Sequence, residues 1–159
     1  MQLLVLALVI LTFFKPFIGS LVFIIIAALL EIWIVLANSS KIKVKNDNNK
    51  YTSKEIELIQ RYPLFFRYPI TSRMLSPMFS GIQLAAFLLV PWLFIKGLYL
   101  QAIVIGLNYF VATQLAVILN PQFFLHDNLD KGRIKKPELV AEFTDDMNAI
   151  DSALKKMYL

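Results

Sequence analysis

The stretch FIGSLVFIIIAALLEIWIVLA, residues 17–37, carries a single charge, Glu31. A helix rises 1.5 Å per residue, so about 20 residues cross a hydrocarbon layer of about 30 Å. This stretch meets that length without a break, which points to a membrane-spanning helix. Working outward, residues 78–95 and 98–119 are also long enough and contain no Asp, Glu, Lys or Arg. The run at residues 2–14 covers only about 20 Å as a helix. It could thin the bilayer locally, extend past Lys15 if that side chain snorkels outward, or remain a partial insertion. A cleaved signal peptide fits less well, because MQLL has no positive n-region and the apolar LVFIII follows Ser20.

Composition agrees with a membrane solvent. The chain is 58% hydrophobic and 17% charged, against about 25% charged in soluble domains, and its mean hydropathy is +0.64. Cysteine is absent and histidine occurs once, at His126, which excludes thiolate chemistry, disulfides and multi-histidine metal centres. No GxSxG, P-loop or HExxH motif occurs, and nothing calls for a cofactor or a metal.

The positive charges are unevenly placed. Eight of the 16 Lys and Arg lie at residues 41–73 and six at 131–156, while only Lys15 and Lys96 fall in the two short connections. Fourteen against two is a strong positive-inside bias. The expected fold is all-α: a polytopic membrane protein with four transmembrane helices as two antiparallel hairpins, plus a cytoplasmic amphipathic C-terminal helix. Its parts are a first hairpin at 1–37, a basic cytoplasmic loop at 38–73, a second hairpin at 74–119 and a cytoplasmic tail at 120–159. Both termini are expected in the cytoplasm, and the compact chain suggests a bacterial plasma membrane.

Within the basic loop, KIKVK at 41–45 reads as a solvated loop or a weak strand alternation. Thr52-Ser53-Lys54-Glu55 has capping-box spacing and starts a helix that Pro63 stops. Residues 61–69, RYPLFFRYP, repeat Arg-Tyr-Pro. Proline disfavours helix at the residue before it, so Tyr62 and Tyr68 should interrupt any helix there. The segment is expected along the membrane surface, with Leu64, Phe65 and Phe66 toward the acyl boundary. Arg61, Tyr62, Arg67, Tyr68 and Arg73 would then meet lipid headgroups, anionic ones in particular. Stacking on nucleic acid is disfavoured by the apolar spans on either side.

Inside the spans, Glu31, Gln83 and Gln114 come to similar depth and could form a polar ring, functional or merely fixing helix register. Gln101 and Asn108 share one face of their helix, and Gly81 with Ala85, and Ala112 with Ala116, have the small-xxx-small spacing of close helix packing. Past the last span, His126, Asp127 and Asp130 read as a solvated loop. In the tail, Val140, Phe143, Met147, Ile150, Leu154 and Met157 are spaced 3, 4, 3, 4, 3, an interaction seam that could dock on its own chain, a second copy or a partner. The favoured function is a non-catalytic membrane component acting through assembly with itself or a partner complex. The alternative is a small homo-oligomeric channel or transporter using Glu31, and an enzyme is less favoured still.

Overall fold

A computed structural model of the chain describes residues 2–42 and 50–158. These are helical throughout their regular structure: α1 (Gln2–Phe14), α2 (Pro16–Ser39), α3 (Ser53–Arg61), α4 (Pro63–Arg67), α5 (Pro69–Ile95), α6 (Tyr99–Leu119), α7 (Pro121–Asp130) and α8 (Pro137–Tyr158). Three of them, α2, α5 and α6, are long and apolar enough to cross a membrane, whereas α1 is shorter. Most of the KIKVK alternation lies outside the described residues.

Proline sets the joints. α2, α4, α5, α7 and α8 all open on proline, whose missing N–H is no loss in a first turn. The residues before four of these prolines share one backbone conformation: Lys15 (φ −132°, ψ 73°), Tyr62 (−124°, 53°), Tyr68 (−137°, 65°) and Asn120 (−144°, 68°). Each leaves the α region, as the steric clash with the proline ring requires. Each also serves both neighbours. The Tyr68 N–H closes α4 on the Leu64 carbonyl, and its own carbonyl accepts from Ser72 to open α5. The chain thus turns between helices through one residue while its backbone polar groups stay paired. The connection between α1 and α2 is therefore Lys15 alone. In the turn between α5 and α6 Gly97 takes φ 72°, a conformation glycine adopts without strain.

Four helices form a ring. Thr12 of α1 meets Gly19 of α2, and Leu4 and Leu8 share a small gap with Ala27 and Phe23, so residue numbers run oppositely and the pair is antiparallel. In α5 and α6, Gln83 bonds Thr113 and Val90 faces Gly106, again antiparallel. α1 runs parallel to α5, with Val5 opposite Gly81 and the rings of Phe13 and Trp92 5.3 Å apart. Contact between α2 and α6 closes the ring. Phe23, Ile34, Phe79, Leu89, Ile105 and Leu119 are fully buried inside it. Leu29, Phe87, Leu100 and Phe110 stand outward, more than 60% exposed, as side chains facing lipid would.

A second core lies beyond one end of the ring. Leu58 and Ile59 of α3, Phe65 and Phe66 of α4, Leu125 of α7 and Ile150 of α8 pack together there. This corrects the surface-lying reading of RYPLFFRYP. Phe65 and Phe66 are 0% and 1% exposed and Leu64 5%, so their apolar area is hidden in protein instead of lipid. The segment folds as the short α4 and the start of α5, which begins at Pro69, ahead of the expected residue 74. A second correction concerns His126, Asp127 and Asp130, which lie on helix α7 and not in a loop. Its start is capped by Asn120, whose Oδ1 accepts from the Phe123 N–H at 3.3 Å.

Gly19 is where the first hairpin is tightest: a Cβ there would come within 2.4 Å of the Thr12 Cα. At Gly81 the same atom would meet Val5 at an ordinary 3.7 Å. Gly19→Ala is therefore expected to destabilise the chain by about 3 kcal/mol by overpacking, while Gly81→Ala stays within about 0.5 kcal/mol. Thermal melting of the detergent-solubilised full chain checks both, and equal melting of the two variants would sink the close-approach account.

Candidate functional site

Glu55 joins α3 to α8. The Thr52 hydroxyl accepts the Glu55 N–H at 3.2 Å and the Thr52 N–H donates to Glu55 Oε2 at 2.7 Å, the capping box that T-x-x-E implies. The carboxylate has further partners about a hundred residues away. Lys156 Nζ donates to Oε1 at 2.8 Å and to Oε2 at 2.7 Å, and Ser152 Oγ donates to Oε1 at 2.5 Å. Burial by itself pushes the Glu55 carboxyl up. The Lys156 ammonium, the Ser152 hydroxyl and the Thr52 N–H outweigh it and hold the group below the usual carboxylate range. A second tie, Lys54 to Asp146 at 2.8 Å, runs between the same two helices.

The α8 seam is turned inward. Ile150 is fully buried, and Phe143, Met147, Leu154 and Met157 pack half-buried on the second core, while Val140 remains 37% exposed. Ala153, absent from the seam pattern because alanine is small, is fully buried as well. The last turn is pinned by Tyr158, whose hydroxyl donates to the Phe66 carbonyl at 2.6 Å and the Arg67 carbonyl at 3.1 Å. These are two of the carbonyls that the end of α4 leaves open.

The expected polar ring does not assemble. Gln83 donates to Thr113 at 2.7 Å, and Gln114 is exposed on α6. Gln101 and Asn108 are half-exposed on the same helix. Glu31 sits on the inner face of α2 with Phe23, Ala27 and Ile34, 9% exposed, and its Oε1 has no hydrogen-bond partner among the described residues. Of the small-residue pairs, Ala85 and Ala112 are buried as expected, but Gly81 faces α1 and not α6. Asp127 pairs with Lys131 and with Arg133, the latter at 3.0 Å, and His126 with Asp130 at 2.6 Å. Among the described residues no three His, Asp or Glu are grouped to hold a metal.

The five expected headgroup residues divide in two. Arg61 lies over its neighbour Tyr62, 5.6 Å from the ring centroid, at the α3–α4 corner. Arg67, Tyr68 and Arg73 instead line a cavity of about 560 Å³ at the start of α5, and its far wall is Leu154, Lys155 and Tyr158 of α8. Arg67 donates to the Ser40 hydroxyl at 2.8 Å. Arg73 donates to Gln122 and lies over the Phe65 ring at 5.7 Å. A second, apolar cavity of about 610 Å³ opens between α1 and α5, lined by Val5, Val9, Ser80, Gly81 and Leu84 and closed at one end by Asn120 and Phe123. Sequence reasoning missed Lys155 and Tyr158, which no local pattern connects to residues 67–73.

Because the folded Glu55 carboxyl titrates below its unfolded value, its contribution is present near neutral pH and is lost as pH falls through the folded value. Glu55→Gln should cost about 3 kcal/mol by leaving Lys156 unpaired. The cost falls on α8, so hydrogen exchange should show faster amides in α8 and unchanged ones in α5 and α6. Uniform loss across all helices would mean that the clamp serves the whole fold. Comparison with protein-family models, curated proteins and solved structures gives no match.

Proposed function

We propose that the chain is a non-catalytic component of a membrane assembly, crossing a bacterial plasma membrane four times with α3, α4, α7, α8 and both termini on the cytoplasmic side. The observation that carries this reading is the division of the surface. The outward faces of α1, α2, α5 and α6 are apolar, while among the described residues twelve of the fourteen Lys and Arg belong to the segments 41–73 and 131–156, which carry α3, α4 and α8 of the second core. α1 reaches about 20 Å, and Lys15 and Lys96 mark the opposite face. With the α8 seam occupied by its own chain, contact with another subunit falls to the α5/α6 hairpin. Phe87, Val90 and Tyr109 there surround a hollow of about 310 Å³ beside Gly106, a small-residue floor of the kind that lets a second helix approach. Native mass spectrometry of the gently extracted full chain is expected to retain further protein chains, and Gly106→Leu, which fills the hollow, to release them. A lone monomer in both would overturn the assembly role.

Glu31 favours a second reading, a homo-oligomeric channel or transporter. Its Oε1 has no hydrogen-bond partner among the described residues; a carboxylate so placed at membrane depth is costly, and such groups line ion or proton pathways. On that reading, proteoliposomes of the wild-type chain carry a proton or cation flux that Glu31→Gln abolishes while leaving oligomer size unchanged. Equal flux in the two would remove it.

A further inference from the structure

We infer that one face of α5 binds a single anionic phospholipid, its phosphate held by Arg67, Arg73 and Lys155 and an acyl chain lying in the groove between α1 and α5. The inference rests on the membrane reading above. Arg67, Arg73 and Lys155 come from separate elements to line the same cavity. Among the described residues none of the three is within ion-pair distance of a carboxylate; the nearest acid in the network, Asp151, accepts from Gln122. A guanidinium has five N–H donors in a planar fork, so the bonds of Arg67 to Ser40 and of Arg73 to Gln122 leave donors free for a phosphate. The walls are amphipathic: Tyr68 and Tyr158 bring ring faces and hydroxyls, and Ile70, 74% exposed, stands at the rim. That mixture suits a headgroup level where charge and hydrocarbon meet.

The apolar groove is a separate hollow that lies further along the same helix. Arg73, Ser76, Ser80 and Leu84 recur at three- and four-residue spacing and so lie on one stripe of α5, and the last three line the groove. Arg73 to Ser80 is about 10 Å along the axis, within reach of a glycerol backbone and its first methylenes. Gln122, the partner of Arg73, directly precedes Phe123 at the end of the groove. The charge count selects the lipid. Both lipids bring one negative phosphate diester toward three cations, but a choline headgroup would add a fourth positive charge among them, so a net anionic lipid is favoured.

The test is native mass spectrometry of the full chain in detergent, titrated with phosphatidylglycerol and phosphatidylcholine of matched acyl chains. Expected is one retained phosphatidylglycerol per chain, weakened about tenfold by Lys155→Gln or Arg73→Gln through loss of a charge-assisted bond. Ser80→Phe, which fills the groove, should weaken it as well, and Lys155→Arg should preserve it. Variants are compared only where their unliganded melting matches wild type, and among the described residues Lys155 makes no hydrogen bond or ion pair that its loss would break. Equal retention of phosphatidylcholine, or no effect of Lys155→Gln, overturns the site. Displacement of the lipid by inorganic phosphate at equal concentration makes it a free-anion site, and an unchanged affinity in Ser80→Phe removes the acyl groove. Failure of the membrane reading is distinguishable, because the chain would then wash off membranes in alkaline carbonate and stay in solution without detergent.

Discussion

The second layer of this protein depends on the carboxylate of Glu55. It is 3% exposed and is satisfied on both oxygens by groups from two helices. A buried carboxylate is tolerable only when its charge and its lone pairs are met, so the helix that carries Lys156 and Ser152 must lie where it does. Once α8 is held there, Ile150 and Ala153 cover Phe65 and Phe66, and Tyr158 reaches the end of α4. The cavity at the start of α5 follows, because one of its walls is the last turn of α8.

Proline supplies a complementary constraint. One-residue joints at Lys15, Tyr62, Tyr68 and Asn120 change the direction of the chain without leaving backbone groups unpaired. Two of them enclose α4, which holds only five residues and would not persist alone, since short helices are marginal in water. It persists because its N-terminal side receives Asn38, whose Oδ1 accepts from the Leu64 N–H at 3.3 Å, and its C-terminal side receives Tyr158. The repeated Arg-Tyr-Pro thus marks two corners, and the arginines that follow from it are carried to different places.

Within the helical ring the polar groups behave unequally. Gln83 and Thr113 satisfy each other across α5 and α6 and fix the register of that pair. Thr12 and Ser20 return their hydroxyls to carbonyls of their own helices, which lets the backbones of α1 and α2 approach with no unpaired donor between them. Glu31 has no such outlet on Oε1, and it stands apart as the ring's one buried acid among the described residues.

The sequence by itself determined the helical class, the long apolar helices α2, α5 and α6, the capping box at Thr52 and the breaks at Tyr62 and Tyr68. Each of these follows from spacing or chemistry within a few residues: uncharged length, a hydroxyl three residues before a glutamate, a ring clashing with its predecessor. The 3, 4, 3, 4, 3 spacing within the α8 seam is likewise a local pattern. Tertiary structure decided what that seam covers, where Phe65 and Phe66 are hidden, and that Lys155 joins Arg67 and Arg73. It also decided that Gln83 turns to Thr113 and not to Glu31. Those outcomes depend on which helix faces meet across as many as about a hundred residues of chain, and composition and periodicity carry no information about pairing at that range.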